Sequence, residues 1–176
     1  MATNWKIDPT HSEIQFKVKH LMITTVTGNF NEFDATAVTE GDDFSSVSSV
    51  DFTASIDSIS TNNSQRDEHL RSADFFDASQ YPALTFKSSR VEASGDDFTV
   101  TGDLTIKDTT KPVTLKAEFG GIVIDPYGQT KAGFTVSGKI SRKEFGLTWS
   151  AVTEAGQVVV SDDIRLLAEI QFVKQA

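Results

Sequence analysis

The chain reads as an all-β protein, an up-and-down antiparallel barrel of about eight strands with one short helix. Three observations predict this. Apolar and polar residues alternate with period two in run after run, turn signals separate the runs, and one stretch alone has helical character. Closing such a sheet removes exposed strand edges, and a barrel of that size either fills with side chains or holds one small ligand.

In chain order, Ile14, Phe16, Val18 and His20 alternate with Glu13, Gln15, Lys17 and Lys19, which gives a strand with one buried face. Shorter pieces lie around 26–38, where the apolar phase slips by one residue between Phe30 and Phe33, as a β-bulge would make it. Val50, Phe52, Ala54 and Ile56 form the next run, followed by a piece at 84–91 with Leu84 and Phe86. Val100, Gly102, Leu104 and Ile106 continue the pattern, then Val113, Leu115, Ala117 and Phe119. Phe134, Val136, Gly138 and Ile140, and finally Ile164 to Phe172, complete the set. Turns fall between these runs, and Gly-Asp-Asp-Phe occurs twice, at 41–44 and 95–98, as reuse of one turn chemistry. No linker or low-complexity tract divides residues 1–176, so they read as a single domain.

The helical exception is 62–76, which overlaps the stretch Arg66–Pro82. Asn62, Asn63 or Ser64 can cap it, Ser64 with Asp67 approximates a capping box, and Asp67 and Arg71 are spaced to pair. Arg66 and His69 stand three residues apart near the expected N-terminus, where backbone N–H groups favour an anion. Phe75 and Phe76 follow. The segment is either a lid over a cavity or a plain plug between strands.

Composition narrows the function classes. Thirteen Phe against two Tyr and two Trp indicates much apolar interior to line without polar handles. A net charge of −9 excludes nucleic acid as the expected partner and argues against docking on an anionic membrane by charge alone. With no cysteine there is no disulfide, zinc-thiolate site or thiol nucleophile. Apolar runs are too short for an integral membrane segment. No leader pattern opens the chain, so the expected location is cytoplasmic, or periplasmic if a leader has been removed.

Candidate polar groups are few. His20 ends an inward phase and is either a partly buried, satisfied histidine or a contact at a cavity mouth. His11, in Asp8-Pro9-Thr10-His11, suits a turn-stabilising role. Arg142 follows Ile140 in phase and Arg90 follows Phe86; each either snorkels, pairs structurally or clamps an anion. The three histidines lack metal-ligand spacing, so no metal is expected, and no nucleophile or dinucleotide motif calls for catalysis.

Taken in order, Trp5–His20, Arg66–Pro82, Gly102–Val113 and Gly133–Gly146 with the closing strand resemble the YceI-like family nearly end to end. The resemblance implies a lipocalin-like, extended antiparallel β-barrel whose interior binds an amphipathic lipid: a polyprenyl pyrophosphate, an isoprenoid quinone or a fatty-acid-like molecule. It implies no other cofactor, no catalytic residue, storage or transport as the role, and a homodimer as an option. The lipid-contacting set expected from the inward phases is Phe16, Val18, Phe30, Phe52, Phe86, Leu104, Ile106, Phe134 and Val136. Phe75, Phe76 and Trp149 join them, with the headgroup near His20, Arg66, His69 or Arg142. The alternatives are a carbohydrate- or protein-binding surface module, for which Trp5 and Trp149 would supply stacking surfaces, and, behind it, a lipid-modifying enzyme with a histidine base.

Overall fold

Antiparallel pairing accounts for every strand contact in the computed structural model of this chain, which describes residues 2–147 and 160–176. The strands are β1 (Ala2–Ile7), β2 (Glu13–His20), β3 (Thr24–Phe30), β4 (Phe33–Glu40), β5 (Ser49–Ser55) and β6 (Ile59–Ser60). Helix α1 (Ser64–Arg71) follows, then β7 (Ala83–Ser94), β8 (Asp97–Ile106), β9 (Thr109–Ile124), β10 (Thr130–Ser141) and β11 (Val160–Lys174). The cyclic order β1-β4-β5-β7-β8-β9-β10-β11 returns to β1 and closes an eight-stranded barrel.

The barrel is extended at one end because β11 is long. Its last residues pair with β1 (Trp5↔Lys174 to Ile7↔Phe172), and its first part pairs with β2 (Val160↔His20 to Glu169↔Glu13). β1 and β2 therefore lie end to end along one neighbour, separated by a 3₁₀ turn at Pro9–His11. β3 pairs with β2, whereas β4 pairs with β1. The phase slip at Phe30–Phe33 is thus not a bulge but a corner, with exposed Asn31 and Glu32 carrying the chain from one partner to the other. Register shifts occur instead at Ser88/Arg90, Gly133/Phe134 and Val160/Ile164.

The helix is shorter than the sequence predicts. Asn63 is its cap, its side-chain oxygen accepting from the Arg66 N–H at 3.0 Å. Asp67 is buried and accepts from the Thr61 N–H (2.8 Å) and hydroxyl (2.6 Å), so neither the capping box nor the Asp67–Arg71 pair forms. Between β6 and β7, α1 and the turns after it complete the wall. Their Phe75 and Ala78 are buried in one cluster with Ile59, Leu84 and Ile106.

The opposite end is sealed by rings. Phe44, on a 3₁₀ turn after β4, lies 4.7 Å from Trp5, 4.9 Å from Phe134 and 5.9 Å from Phe119, centroid to centroid. Trp5 is buried, and its indole N–H donates to the Thr39 hydroxyl at 2.8 Å, which satisfies the one polar atom this seal would strand. Both copies of Gly-Asp-Asp-Phe serve this end. Gly41 and Gly95 take positive φ (62° and 61°) at the turns, and Phe44 and Phe98 are buried in the same aromatic cluster.

Asp8 anchors the junction between β1 and β2. It accepts from Thr10 N–H (3.1 Å) and from Lys131 Nζ (2.9 Å), and lies 2.7 Å from His11 Nδ1, which gives His11 its turn-stabilising role. Burial pushes the Asp8 carboxyl up, but hydrogen bonds from Lys131, His11 and Thr10 together hold it far below the usual carboxylate range. A carboxylate whose folded pKa is depressed adds stability above its unfolded pKa and loses it as pH falls below that value. Asp8→Asn is therefore expected to cost about 1–3 kcal/mol at neutral pH. In urea titrations the gap to the parent should shrink as pH falls below about 4. A gap that stays constant into acid would show that the charge contributes nothing.

Candidate functional site

Inward-facing side chains leave the barrel hollow. Two adjoining chambers run through it, with cavity volumes of about 190 Å³ and about 260 Å³. They share Phe16, Phe30, Leu84, Ile106, Ile140 and Leu166, so the second continues the first. The inner chamber reaches the aromatic seal at Phe44 and Phe134, and among the described residues Gln15 is the one polar residue in its lining. The outer chamber lies under α1 and is apolar on most of its wall, with Lys19, His20, Thr61, Arg66, His69 and Arg142 contributing polar groups. An apolar depth with a polar opening is the pattern of a small-molecule site that fixes a ligand by a few polar contacts.

Close packing shapes the wall. Gly28 faces Phe16 directly across β2 and β3, and a Cβ there would overlap the Phe16 ring, so glycine lets the ring lie over the neighbouring strand.

The structure brings the sequence-predicted residues together. Phe52, Phe86, Leu104, Phe134 and Val136 line the inner chamber, Phe16, Phe30 and Ile106 line both, and Val18, Phe75 and Phe76 line the outer one. Phe75 is buried, and Phe76 stands edge-on to Phe30 at 6.3 Å, so the segment after α1 covers the cavity. His20, Arg66, His69 and Arg142, from three separate parts of the chain, all border the outer chamber. Trp149 lies outside the described residues.

Individual polar groups differ from expectation. His20 is exposed rather than partly buried, because β2 ends there and the chain turns away. Arg66 reaches back to Thr61, donating from Nε to the hydroxyl and from Nη2 to the carbonyl, each at 2.7 Å. His69 sits in the last turn of α1, not near its N-terminus, since the helix ends at Arg71. Its Nε2 lies 2.9 Å from Asp74 Oδ2 and its ring stands edge-on to Phe75 at 5.1 Å. Arg142 does not snorkel. It is 1% exposed and donates to the carbonyls of Leu147 (2.7 Å) and Ser161 (2.9 Å), with Asp162 3.6 Å away. Burial lowers the pKa of the guanidinium from its ordinary value, and the nearby Asp162 charge opposes that. Arg90 forms an exposed pair with Glu92 at 2.6 Å, away from the cavity.

Phe44, Phe98 and Phe172 of the inner lining are absent from the predicted contacts. Phe44 and Phe98 could have been found, because a phenylalanine closing a turn twice in the same motif is an unusual choice for an exposed position.

Fold and cavity define the class: a closed antiparallel barrel that keeps an apolar interior with a polar opening. The chain belongs to the YceI-like domain family, which matches residues 5–172. It is 38% identical to protein YceI of Escherichia coli O17:K52:H18, over 99% of this chain and 89% of that protein. The crystal structure of the Campylobacter jejuni YCEI protein superposes with a TM-score of 0.77 at 35% identity, covering 91% of each chain. A polyisoprenoid binding domain from Saccharophagus degradans, implicated in plant cell wall breakdown, shares the fold with a TM-score of 0.69 at 14% identity. That likeness covers 97% of this chain and 98% of that one.

Proposed function

We propose that the barrel binds one amphipathic isoprenoid lipid, a polyprenyl pyrophosphate or an isoprenoid quinone, and stores or carries it without chemical change. The observation that carries this reading is the continuous chamber, apolar to its inner end and polar at its mouth. Each methylene moved from water into such a wall contributes roughly 0.8 kcal/mol, so a prenyl chain binds with few polar contacts. The chain would lie along Phe16, Phe30, Phe86, Leu104 and Phe134, with Phe75 and Phe76 over it. The headgroup would face His20, Arg66 and His69, and Arg142 would act as a fixed positive charge behind them. The polyisoprenoid-binding description of the Saccharophagus relative supports the same ligand class.

A carbohydrate-binding surface gains no support from Trp5, which is 1% exposed and cannot stack on a sugar. For a histidine base, His69 has a carboxylate partner in Asp74, but Asp74 is 57% exposed and outside the chamber lining, so the pair is not enclosed with a ligand. Extraction of the purified protein followed by mass spectrometry should release a prenyl lipid. An empty barrel that also refuses added prenyl lipid after delipidation would end this reading.

A further inference from the structure

The β2–β3 hairpin presents three features that the internal cavity does not require. Met22 and Ile23 at its tip are 60% and 76% exposed. Leu21 and Met22 both take positive φ (53° and 59°), and the Ile23 N–H donates to the His20 carbonyl at 3.2 Å. Two positive φ values mark a turn that Asn-Gly ordinarily occupies, and two large apolar residues there carry backbone strain. The hairpin also starts at the mouth itself, since Val18, Lys19, His20 and Val26 line the outer chamber.

A row of cations crosses the sheet three residues back from the last pair of the hairpin, His20↔Thr24. Lys139, Arg165 and Lys17 stand in register across β10, β11 and β2, an arrangement of like charges that destabilises a sheet by itself. Lys139 is met by Asp163 at 3.3 Å, whereas Lys17, Lys19 and Arg165 have no ion-pair partner among the described residues. Asp162, next to Asp163, is shared between Arg142 and Lys143. In a chain of net charge −9, this is a local cationic patch beside exposed aliphatic groups.

We infer that this hairpin is a membrane-docking tip: Met22 and Ile23 enter the interface of a bilayer while Lys17, Lys19 and Arg165 meet anionic headgroups, placing the cavity mouth against the lipid surface. Two side chains are far too little for a stable protein interface, which needs about 800 Å² from each partner. They suffice for shallow insertion reinforced by charge, because a bilayer interface takes up aliphatic tips and attracts cations together. The inference rests on the lipid-binding reading for its purpose, since a barrel that exchanges a membrane lipid must bring its mouth to the membrane.

Sedimentation with vesicles of phosphatidylcholine and phosphatidylglycerol tests it. The parent protein should bind at low salt and release as salt shortens the screening length. The double variant Met22→Ser/Ile23→Ser should bind at least about tenfold more weakly. Lys17→Gln/Lys19→Gln/Arg165→Gln should also bind more weakly and lose most of the salt dependence. Leu21→Asn/Met22→Gly separates docking from folding: it should raise the thermal midpoint by relieving the turn and still weaken vesicle binding. Parent protein that stays in the supernatant, or variants that bind as the parent does, would overturn the inference. So would a tip substitution that changes the sedimentation coefficient of protein alone and leaves vesicle binding intact, since the tip would then be a contact between copies. Loading the delipidated protein with geranylgeranyl pyrophosphate from detergent keeps the two readings apart. Uptake without vesicle binding removes docking alone, and vesicle binding without uptake removes the lipid cavity alone.

Discussion

Phe44→Ala is expected to cost about 3–5 kcal/mol of stability, read as a lower urea midpoint at unchanged slope. The ring seals the barrel by packing against Trp5, Phe119, Phe134 and Phe172, so its removal loses apolar burial and leaves a cavity that β-strands cannot collapse to fill. Because Phe44 also forms the inner limit of the chamber, the same variant lengthens the space open to a ligand. Its binding preference should therefore move toward longer prenyl chains, and bound lipid should restore part of the lost stability. A variant as stable as the parent, with the same chain-length preference, would show that no seal stands there.

Arg142→Met should be comparably severe, at about 3–5 kcal/mol. The buried guanidinium donates to the carbonyls of Leu147 and Ser161 and reaches that of Val160 at 3.4 Å, so its loss strands acceptors at two separate parts of the chain. Each stranded buried acceptor costs about 1–3 kcal/mol. Arg142→Lys should recover only part of this, since an ammonium lacks the planar fork that serves several carbonyls at once. A dedicated headgroup clamp would behave differently, with lipid uptake falling while the urea midpoint held.

Which features were legible in the sequence follows from what sequence periodicity records. Parity along a strand fixes which side chains face inward, so Phe16, Phe86, Leu104 and Phe134 could be assigned to the interior before any fold was known. Parity does not record what a strand pairs with. The slip between Phe30 and Phe33 has the same signature whether a bulge or a change of partner produces it. β1 escaped notice as a separate strand because Trp5 and Ile7 are its only buried residues, too few to establish a period. His20 kept its inward phase yet is exposed, since phase carries no information about where a sheet ends. Cation roles were least legible. Arg66, His69 and Arg142 all reach the mouth, but whether a guanidinium serves a ligand or the main chain depends on carbonyls such as those of Thr61 and Leu147, brought near only by folding.

The aromatic seal and the hairpin tip give the barrel opposite ends. At one, Trp5 and Phe44 close the chamber behind well-packed rings; at the other, the wall is completed by a short helix and one covering segment. Segments held by few buried contacts open at lower free energy than strands of the core. On the proposed function a ligand would enter at the α1 end, where the polar groups already stand.

Native mass spectrometry of delipidated protein titrated with geranylgeranyl pyrophosphate tests the central claim most directly. The parent should acquire one lipid mass per chain, and Leu104→Trp, which fills the chamber from β8, should acquire none while remaining folded. A parent that acquires no lipid, or a Leu104→Trp variant that loads as fully as the parent, would contradict a lipid-binding barrel interior.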